Sequence, residues 1–175
     1  MNYATFRTHD VANGPGVRVS LFVSGCTHRC PGCFNAEAWD FSYGEPYTAE
    51  LEEKIIESLA PDYIKGFSLL GGEPFEPCNQ RELAPLLERI KREYPNKTVW
   101  CYTGYDFEKD ILAKGLGDPS VTMRMISCID VLVDGEFIEA KKDLSLRFRG
   151  SSNQRIIDVR GSLEKGETVL MKKFY

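Results

Sequence analysis

The stretch that decides the fold is VRVSLFVSGCTHRCPGC, residues 17–33. Its first part, residues 17–24, is rich in β-branched and apolar side chains and predicts a partly buried β-strand that ends at a glycine. Three cysteines follow with the spacing C-x3-C-x2-C, at Cys26, Cys30 and Cys33. A loop at the C-terminal end of a strand lies where α/β folds build their sites. The stretch therefore predicts a strand that presents three thiols at one edge of a sheet.

The number of thiols in this loop bears on which metal it can hold. A structural zinc site is closed by four ligands, and a ferredoxin-type cluster takes four thiolates. The other cysteines, Cys78, Cys101 and Cys128, stand alone, and the last two are interpreted as ordinary thiols. Three thiolates on a [4Fe–4S] cluster leave one iron without a protein ligand, and the spacing favours this interpretation. A zinc site completed by His28 or by the distant Cys78 is the alternative.

Composition limits the class of protein. The chain has 175 residues, 42% of them hydrophobic and 27% charged, as in an ordinary globular protein, and we expect a single domain over residues 1–175. The net charge of −4 gives no basic field for nucleic acid or an anionic membrane. The N-terminus lacks the apolar core of a signal peptide, and no apolar run is long enough to span a bilayer. We therefore expect a cytoplasmic protein whose clustered cysteines bind metal.

Periodicity predicts alternating strands and helices after the cysteine loop. Thr48 and Asn79 are expected to cap helices with buried apolar stripes. Further strands are predicted over 64–70, 98–103, 129–133 and 155–159, and short helices over 106–114 and 119–127. Residues 2–16 are interpreted as polar and turn-rich, and residues 161–175 as an edge strand or a partner-binding arm. The pattern predicts an α/β fold with a mostly parallel sheet of four to six strands, open or curled as a partial barrel.

A second candidate loop follows the strand predicted over 64–70. It reads Gly71-Gly72-Glu73-Pro74 and should lie at the same edge of the sheet as the cysteines. Two glycines allow a ligand to approach the main chain closely, and a glutamate at a strand end offers an acceptor for a cationic group. A plain turn before the next helix would explain the loop by itself. Two such loops at one sheet edge favour a site.

These two loops resemble those of the radical S-adenosylmethionine enzymes. The approach to the first loop, from Asn13 to Arg18, is similar to that of the glycyl-radical activases within that superfamily. Four further marks resemble the activating proteins of anaerobic (class III) ribonucleoside-triphosphate reductases. They are CPGCFN at 30–35, YTGY at 102–105, VDGEF at 133–137 and RGSSNQ at 149–154. The resemblance covers nearly the whole chain and implies a partial, incomplete β/α barrel of the radical S-adenosylmethionine type.

The resemblance also implies the cofactors and their ligands. Cys26, Cys30 and Cys33 would hold a [4Fe–4S] cluster, and S-adenosylmethionine would chelate the open iron. Many relatives have an aromatic residue immediately before the third cysteine, where this chain has a glycine. The contacts with S-adenosylmethionine are therefore expected from the cysteine loop, the glycine loop and the third strand. They are Gly32, Cys33, Phe34, Gly71, Gly72, Glu73, Tyr102 and Thr103, with no catalytic side chain beyond the cofactors.

The implied reaction is reductive cleavage of S-adenosylmethionine. The resulting 5′-deoxyadenosyl radical would take hydrogen from a glycine of the reductase large subunit, leaving a glycyl radical. The electron would come from a donor such as reduced flavodoxin. Two alternatives stay open: an activase of another glycyl-radical enzyme, and a non-enzymatic zinc-binding adaptor.

Overall fold

The computed structural model describes residues 1–175, which form eight strands and four α-helices. The strands are β1 (Asn2–Asp10), β2 (Val17–Val23), β3 (Glu45–Pro46), β4 (Ile64–Gly71), β5 (Thr98–Tyr102), β6 (Val131–Asp134), β7 (Arg155–Asp158) and β8 (Val169–Leu170). The helices are α1 (Ala49–Leu59), α2 (Pro77–Glu93), α3 (Pro119–Cys128) and α4 (Val159–Lys165). None of the helices is both long enough and apolar enough to cross a membrane.

All eight strands belong to one open sheet with the order β3-β1-β2-β4-β5-β6-β7-β8. The middle strands β2, β4, β5 and β6 pair in parallel, because a helix-containing connection returns the chain to the same end of the sheet each time. The strands on both flanks pair antiparallel. The α/β class is confirmed. The prediction of a mostly parallel sheet of four to six strands holds only for the middle of a larger, mixed sheet.

The N-terminal segment differs from the prediction. Residues 2–10 were expected to be turn-rich, but they form the long strand β1, which pairs antiparallel with β2 from Tyr3 opposite Val23 to Asp10 opposite Arg18. Most of its side chains are only half-buried, so the strand lacks the apolar pattern by which a buried strand is recognised. The predicted turn at 13–16 connects the two strands. Residues 2–10 therefore form a strand because they pair with β2, and their own sequence does not predict it.

The helices follow the predicted periodicity, with one wrong cap. Thr48 caps α1, since its Oγ1 accepts a hydrogen bond from the Leu51 amide at 3.3 Å. Asn79 does not cap α2, which begins two residues earlier at Pro77. Its buried side chain instead donates hydrogen bonds to the carbonyl oxygens of Ser24, at 3.0 Å, and Glu73, at 2.9 Å. A residue that looked like a local helix signal therefore ties together the ends of β2 and β4.

The two faces of the sheet are covered differently. One face packs against the helices in a core of 27 buried residues. On the other face Trp100, Val131, Val133 and Ile156 form a smaller cluster, which is covered by three side chains from loop and tail: Phe148, Met171 and Phe174. Successive residues of β5, β6 and β7 alternate between these clusters, as the two-residue period of a strand requires.

The C-terminal tail packs onto the second face. β8 pairs antiparallel with β7 at the edge of the sheet. Of the two predictions for residues 161–175, an edge strand or a partner-binding arm, the edge strand is confirmed. Beyond it, the Tyr175 hydroxyl accepts a hydrogen bond from the Ile156 amide at 2.9 Å. The Arg149 guanidinium stacks 4.1 Å from the centre of the Tyr175 ring. The tail therefore helps to fix the loop that contains Arg149.

Candidate functional site

The cysteine loop leaves the C-terminal end of β2, at the edge where the parallel strands end. Cys26 is buried, Cys30 and Cys33 are half-buried, and all three are free thiols. Two hydrogen bonds shape the last turn of the loop: the Cys33 amide donates to the Cys30 carbonyl at 3.1 Å, and the Asn35 amide donates to Cys33 Sγ at 3.4 Å. The loop thus presents its three thiols on one side.

A cavity of about 550 Å³ opens at this edge of the sheet. Its volume is within the range of small-molecule sites. All ten residues that the sequence analysis assigned to metal or cofactor line it. They are Cys26, Cys30, Gly32, Cys33, Phe34, Gly71, Gly72, Glu73, Tyr102 and Thr103. The fold therefore brings together residues that lie on three loops far apart in the sequence.

The donor set fits an iron–sulfur cluster. Three cysteines line the cavity, Cys26, Cys30 and Cys33, and none of the other cysteines does. Thiolates are the ligands of iron–sulfur clusters, and three of them on a [4Fe–4S] cluster leave one iron without a protein ligand.

Burial keeps two of these thiols protonated in the metal-free protein. It raises the pKa of Cys26 to about 11 and raises that of Cys30 as well. Because thiolates are the ligands of a metal, binding must release these protons.

Glu73 is buried, and its carboxylate is engaged within the protein. Oε1 accepts hydrogen bonds from the Phe75 amide and from Thr103 Oγ1, each at 2.8 Å. Oε2 accepts from the Gly104 amide, also at 2.8 Å. The side chain therefore joins the end of β4 to the end of β5.

The two glycines bring that main chain into the cavity. A Cβ on Gly71, whose φ is +116°, would lie 2.5 Å from the Val23 nitrogen. A Cβ on Gly72 would lie 2.5 Å from the Gly25 carbonyl oxygen. The glycine loop is thus packed directly on the end of β2. The Gly72 carbonyl accepts no hydrogen bond within the protein, which leaves it available at the cavity wall.

The sequence analysis considered His28 only as a zinc ligand and did not predict its contacts with two glutamates. Its Nδ1 lies 2.8 Å from Glu136 Oε1, and its Nε2 lies 3.2 Å from Glu73 Oε2. The ring meets the Tyr105 ring edge-on at 4.4 Å between centres. Burial by itself lowers the pKa of His28, but the two carboxylates outweigh it and raise the pKa to about 9. The histidine between the first two cysteines therefore ties the loop to β4 and to the segment after β6.

A second glutamate holds the start of the cysteine loop. Glu76 Oε1 accepts hydrogen bonds from the Thr27 amide at 2.8 Å and from the Thr27 hydroxyl at 2.6 Å. Glu76 is buried and directly precedes α2. Two glutamates three positions apart directly after β4 were the available signal for these contacts. Carboxylates that become buried at such a loop need hydrogen-bond donors from neighbouring segments.

Buried polar atoms without partners line the cavity. They are the Tyr102 hydroxyl and Arg149 Nε. Burial raises the pKa of Tyr102, so its hydroxyl stays neutral and able to donate. Buried polar groups are nearly always hydrogen-bonded, and those left alone in a cavity indicate a polar ligand. Thr103 differs, since its hydroxyl donates to Glu73 and accepts from the Tyr105 amide. We therefore interpret Thr103 as a support of the wall.

The segment 137–154 forms the far wall of the cavity and includes the run RGSSNQ at 149–154. Gln154 closes this segment: its Oε1 accepts from the Gly150 amide at 2.8 Å, and its Nε2 donates to the Gly135 carbonyl at 2.9 Å. Phe148 and Arg149 line the cavity between these anchors. The polar run at 149–154 is thus part of the site wall.

Several candidate residues lie elsewhere. The remaining cysteines, Cys78, Cys101 and Cys128, do not line the cavity, and the last two are buried as expected of ordinary thiols. Asp130, just before β6, and Asp134, at its end, are not part of the lining either. Asp130 pairs with Lys91 at 2.9 Å, and Asp134 pairs with Arg155. Both aspartates stabilise the sheet.

The comparisons with known proteins agree with this donor set. A family model described as a 4Fe-4S single cluster domain matches residues 12–157, which is most of the chain. This match places the chain in the class of proteins built on a single 4Fe-4S cluster.

Relatives define the group within that class. The chain is 43% identical over 162 residues to the anaerobic ribonucleoside-triphosphate reductase-activating protein of Escherichia coli (strain K12), which covers 91% of this chain and 100% of the relative. The proteins of the same name from Vibrio cholerae serotype O1 and Enterobacteria phage T4 are 45% and 37% identical, each over 158 residues, 89% of this chain. They are covered over 97% and 93% of their own lengths. The chain belongs to the family of anaerobic ribonucleoside-triphosphate reductase-activating proteins, which confirms the resemblance.

Proposed function

We propose that the protein activates an anaerobic ribonucleoside-triphosphate reductase by forming a glycyl radical on its large subunit. The names of the relatives give this target for those proteins. For this chain, the observation that carries the proposal is the cavity of about 550 Å³ at the C-terminal edge of the parallel strands. Three cysteines, the glycine loop and two residues with partnerless polar atoms, Tyr102 and Arg149, line it.

The cofactors that we propose are a [4Fe–4S] cluster and S-adenosylmethionine. When bound, they supply the radical chemistry: one electron cleaves S-adenosylmethionine to methionine and a 5′-deoxyadenosyl radical, which takes a hydrogen atom from glycine. Cys26, Cys30 and Cys33 ligate three of the four irons and leave the fourth open.

The residues of the chain bind and orient S-adenosylmethionine. The Gly72 carbonyl accepts a hydrogen bond from its amino group, and Gly71 allows the close approach of the main chain. Phe34, which is 83% exposed and beside the third cysteine, offers its ring face to the adenine. The Tyr102 hydroxyl donates to a polar group of the ligand. Gly32 and Thr103 shape the cavity around these contacts, and the apolar side chains of the 137–154 segment exclude water.

The remaining parts of the proposal concern the whole chain. We propose that residues 1–175 work as one domain in the cytoplasm and that the sheet is the partial β/α barrel of the radical S-adenosylmethionine type. A reduced flavodoxin is the proposed class of electron donor. Of the alternatives, the zinc-binding adaptor is less favoured, because the family model that matches residues 12–157 describes a 4Fe-4S domain. An activase for another glycyl-radical enzyme would not be expected to match reductase-activating proteins over their full length.

Anaerobic reconstitution tests the cofactor. The expected result is about four irons and four sulfides per chain, with a change in the cluster spectrum when S-adenosylmethionine is added. Stoichiometric zinc without uptake of iron would refute the proposal. Incubation of the reduced protein with S-adenosylmethionine and an anaerobic reductase tests the target. A glycyl radical signal in electron paramagnetic resonance is expected, and its absence would remove the activase assignment.

Substitution of single cysteines tests the division of the thiols. Cys30→Ala should abolish cleavage of S-adenosylmethionine, because the cluster loses one of its three thiolates. Cys128→Ala, away from the cavity, should retain most of the activity. Production of 5′-deoxyadenosine is the measurement. Equal losses in both variants would show that the assignment of the ligands is wrong.

A further inference from the structure

Arg149 is a half-buried cation at the wall of the cavity, and it has no anionic partner within the protein. Arg155, by contrast, pairs with three acidic residues. The other basic residues of the lining are accounted for, since His28 contacts two glutamates and Lys142 is exposed to solvent. A positive charge that is partly removed from water and left unpaired is unfavourable. The cavity is therefore suited to a ligand with an anionic group.

The guanidinium of Arg149 keeps part of its donors free. One terminal nitrogen donates to the Gln154 carbonyl oxygen at 3.2 Å, and the other lies 3.5 Å from the Phe174 carbonyl oxygen. Nε is buried and has no partner. A guanidinium carries five N–H donors in a planar fork. Nε and a neighbouring nitrogen can therefore donate together to the two oxygens of one carboxylate.

We propose that Arg149 binds the carboxylate of S-adenosylmethionine and that Tyr175, in the C-terminal tail, positions Arg149 for this contact. This inference rests on the proposed function and adds two residues to the cofactor site. S-adenosylmethionine has one anionic group, the carboxylate of its methionine part, which is ionised at neutral pH. That carboxylate is the group of the cofactor that an unpaired guanidinium attracts. Arg149 touches the cofactor, whereas Tyr175 acts only through Arg149.

Tyr175 is fixed to β7 and stacks on Arg149. Its hydroxyl accepts a hydrogen bond from the Ile156 amide at 2.9 Å, and the centre of its ring lies 4.1 Å from the central carbon of the guanidinium. Stacking of this kind is attractive and occupies the planar face of the guanidinium, while the N–H donors point outward at its edge. The tail therefore orients Arg149 without using the donors that a carboxylate needs.

The backbone before Arg149 is strained, which supports a functional role for this position. Phe148 has a φ of +54°, in the left-handed region that residues with a side chain rarely adopt. Its ring packs edge-on against Trp100, at 5.3 Å between ring centres, and against Phe174, at 5.5 Å. Contacts with the sheet and with the tail thus stabilise this conformation. Strained residues of this kind cluster at ligand sites.

Binding of S-adenosylmethionine to the reconstituted protein tests the role of Arg149. Equilibrium dialysis is carried out with the cluster oxidised, so that no electron is available and the ligand is bound without being cleaved. We expect Arg149→Gln to raise the dissociation constant at least about tenfold, because a charge-assisted hydrogen bond is lost. Decarboxylated S-adenosylmethionine lacks the group that Arg149 binds, so its dissociation constant should not rise in the same variant. Equal weakening of both ligands would overturn the proposal, since Arg149 would then only support the wall.

Arg147→Gln is the matched control. It removes the same charge two residues earlier in the chain, from a side chain that is exposed and does not line the cavity. The affinity for S-adenosylmethionine should match that of the unchanged protein. If Arg147→Gln weakens binding as much as Arg149→Gln, the effect belongs to the overall charge and the assignment of Arg149 is wrong.

Tyr175→Leu and Tyr175→Phe test the positioning role. Loss of the ring in Tyr175→Leu should raise the dissociation constant for S-adenosylmethionine about three- to fivefold, whereas Tyr175→Phe keeps the ring and most of the affinity. In the Arg149→Gln background Tyr175→Leu should have no further effect, because the tail acts through Arg149. The same loss in both backgrounds, or no loss in either, would overturn the role of Tyr175. If Arg149 is needed for binding as expected but the reductase gains no glycyl radical, the proposed function fails and the carboxylate site stands.

Discussion

At the scale of single residues, buried carboxylates organise the site through hydrogen bonds within the protein. Glu73 accepts three hydrogen bonds from the loop after β5 and from its own loop, and Glu76 accepts two from Thr27. Both carboxylates follow β4, so one short segment fixes the cysteine loop and the opposite wall together. A buried acceptor that satisfies several donors is costly to replace, because each abandoned donor loses its partner.

Glu73→Gln should destabilise the metal-free protein by about 1–3 kcal/mol. The amide nitrogen of the new side chain cannot accept the hydrogen bond from the Gly104 amide, which is then buried without a partner. Urea unfolding of the metal-free protein is the measurement. Glu136→Gln is the control: this carboxylate also contacts His28 but is 56% exposed, so its loss should cost less than about 1 kcal/mol. Equal costs for the two variants would contradict the account of Glu73.

At the scale of elements, the site depends on how tightly the ends of neighbouring strands pack. The Glu73 amide donates to the Gly25 carbonyl at 2.8 Å, and the Gly25 amide donates to the Ala38 carbonyl at 2.8 Å. These bonds join the glycine loop, the end of β2 and the segment that follows the cysteines. Gly72 lies against both carbonyl oxygens, with no space for a side chain. The position of the thiols therefore depends on a glycine in another loop.

Gly72→Ala should lower the stability of the metal-free protein by about 1–3 kcal/mol and reduce iron uptake on reconstitution. The added methyl group would lie 2.5 Å from the Gly25 oxygen and 2.9 Å from the Ala38 oxygen, so the cysteine loop must move. Thermal unfolding and iron analysis are the measurements.

Gly166→Ala serves as the control for this substitution. Gly166 has a φ of +69° and nothing within 4 Å of the added carbon, so alanine there costs about 1 kcal/mol of backbone strain. Iron uptake by this variant should not change. If both alanine variants take up iron equally well, the packing of Gly72 does not position the thiols.

At the scale of the whole molecule, an ion-pair network joins the C-terminal half of the sheet. Arg155 on β7 pairs with Asp134 on β6 and, at 2.6 Å, with Glu108 in the π-helix Phe107–Leu112, which is the first part of the helical segment predicted over 106–114. The Thr168 hydroxyl also donates to Glu108. Asp134, Glu108 and Asp106 form the compact acidic group of the molecule, and all three pair with Arg155. The group is therefore structural.

This network predicts how stability depends on pH. Burial opposes ionisation of Glu108, but the hydrogen bonds from Arg155 and Thr168 outweigh it and lower the pKa from 4.5 to about 2. A carboxyl whose pKa is lowered by folding stabilises the protein above its unfolded pKa and loses that contribution as pH falls toward the folded value. Glu108→Gln should therefore be less stable than the unchanged protein at pH 7, and the difference should shrink between pH 4.5 and about 2.

Urea unfolding at several pH values measures this difference. Glu164→Gln is the control, since Glu164 is exposed and pairs only with Arg160 on α4. Its effect on the free energy of unfolding should be small at pH 7. A destabilisation by Glu108→Gln that stays constant down to pH 2 would contradict the lowered pKa.

The sequence by itself determined the chemistry of this protein. Three thiols at a fixed spacing, and two glycines after the next buried strand, specify donors and close backbone approach whatever surrounds them. Apolar runs and helical stripes determined the parallel strands in the middle of the sheet, because burial requires those patterns. The strand at residues 2–10 was not predicted, because its pairing with β2 stabilises it and its sequence lacks the apolar pattern of a buried strand.

The tertiary structure alone decided how the residues are used. Glu73 looked like an acceptor for a ligand, yet the fold places three donors around it that no local pattern reveals. Asn79 resembled a helix cap but bridges two strand ends. The partnerless Arg149 Nε and the thiols of the cysteine loop lie at one cavity only because distant segments meet there. Hydrogen bonding and burial depend on neighbours in space, and for this site those neighbours lie about 30 to 110 residues apart in the chain.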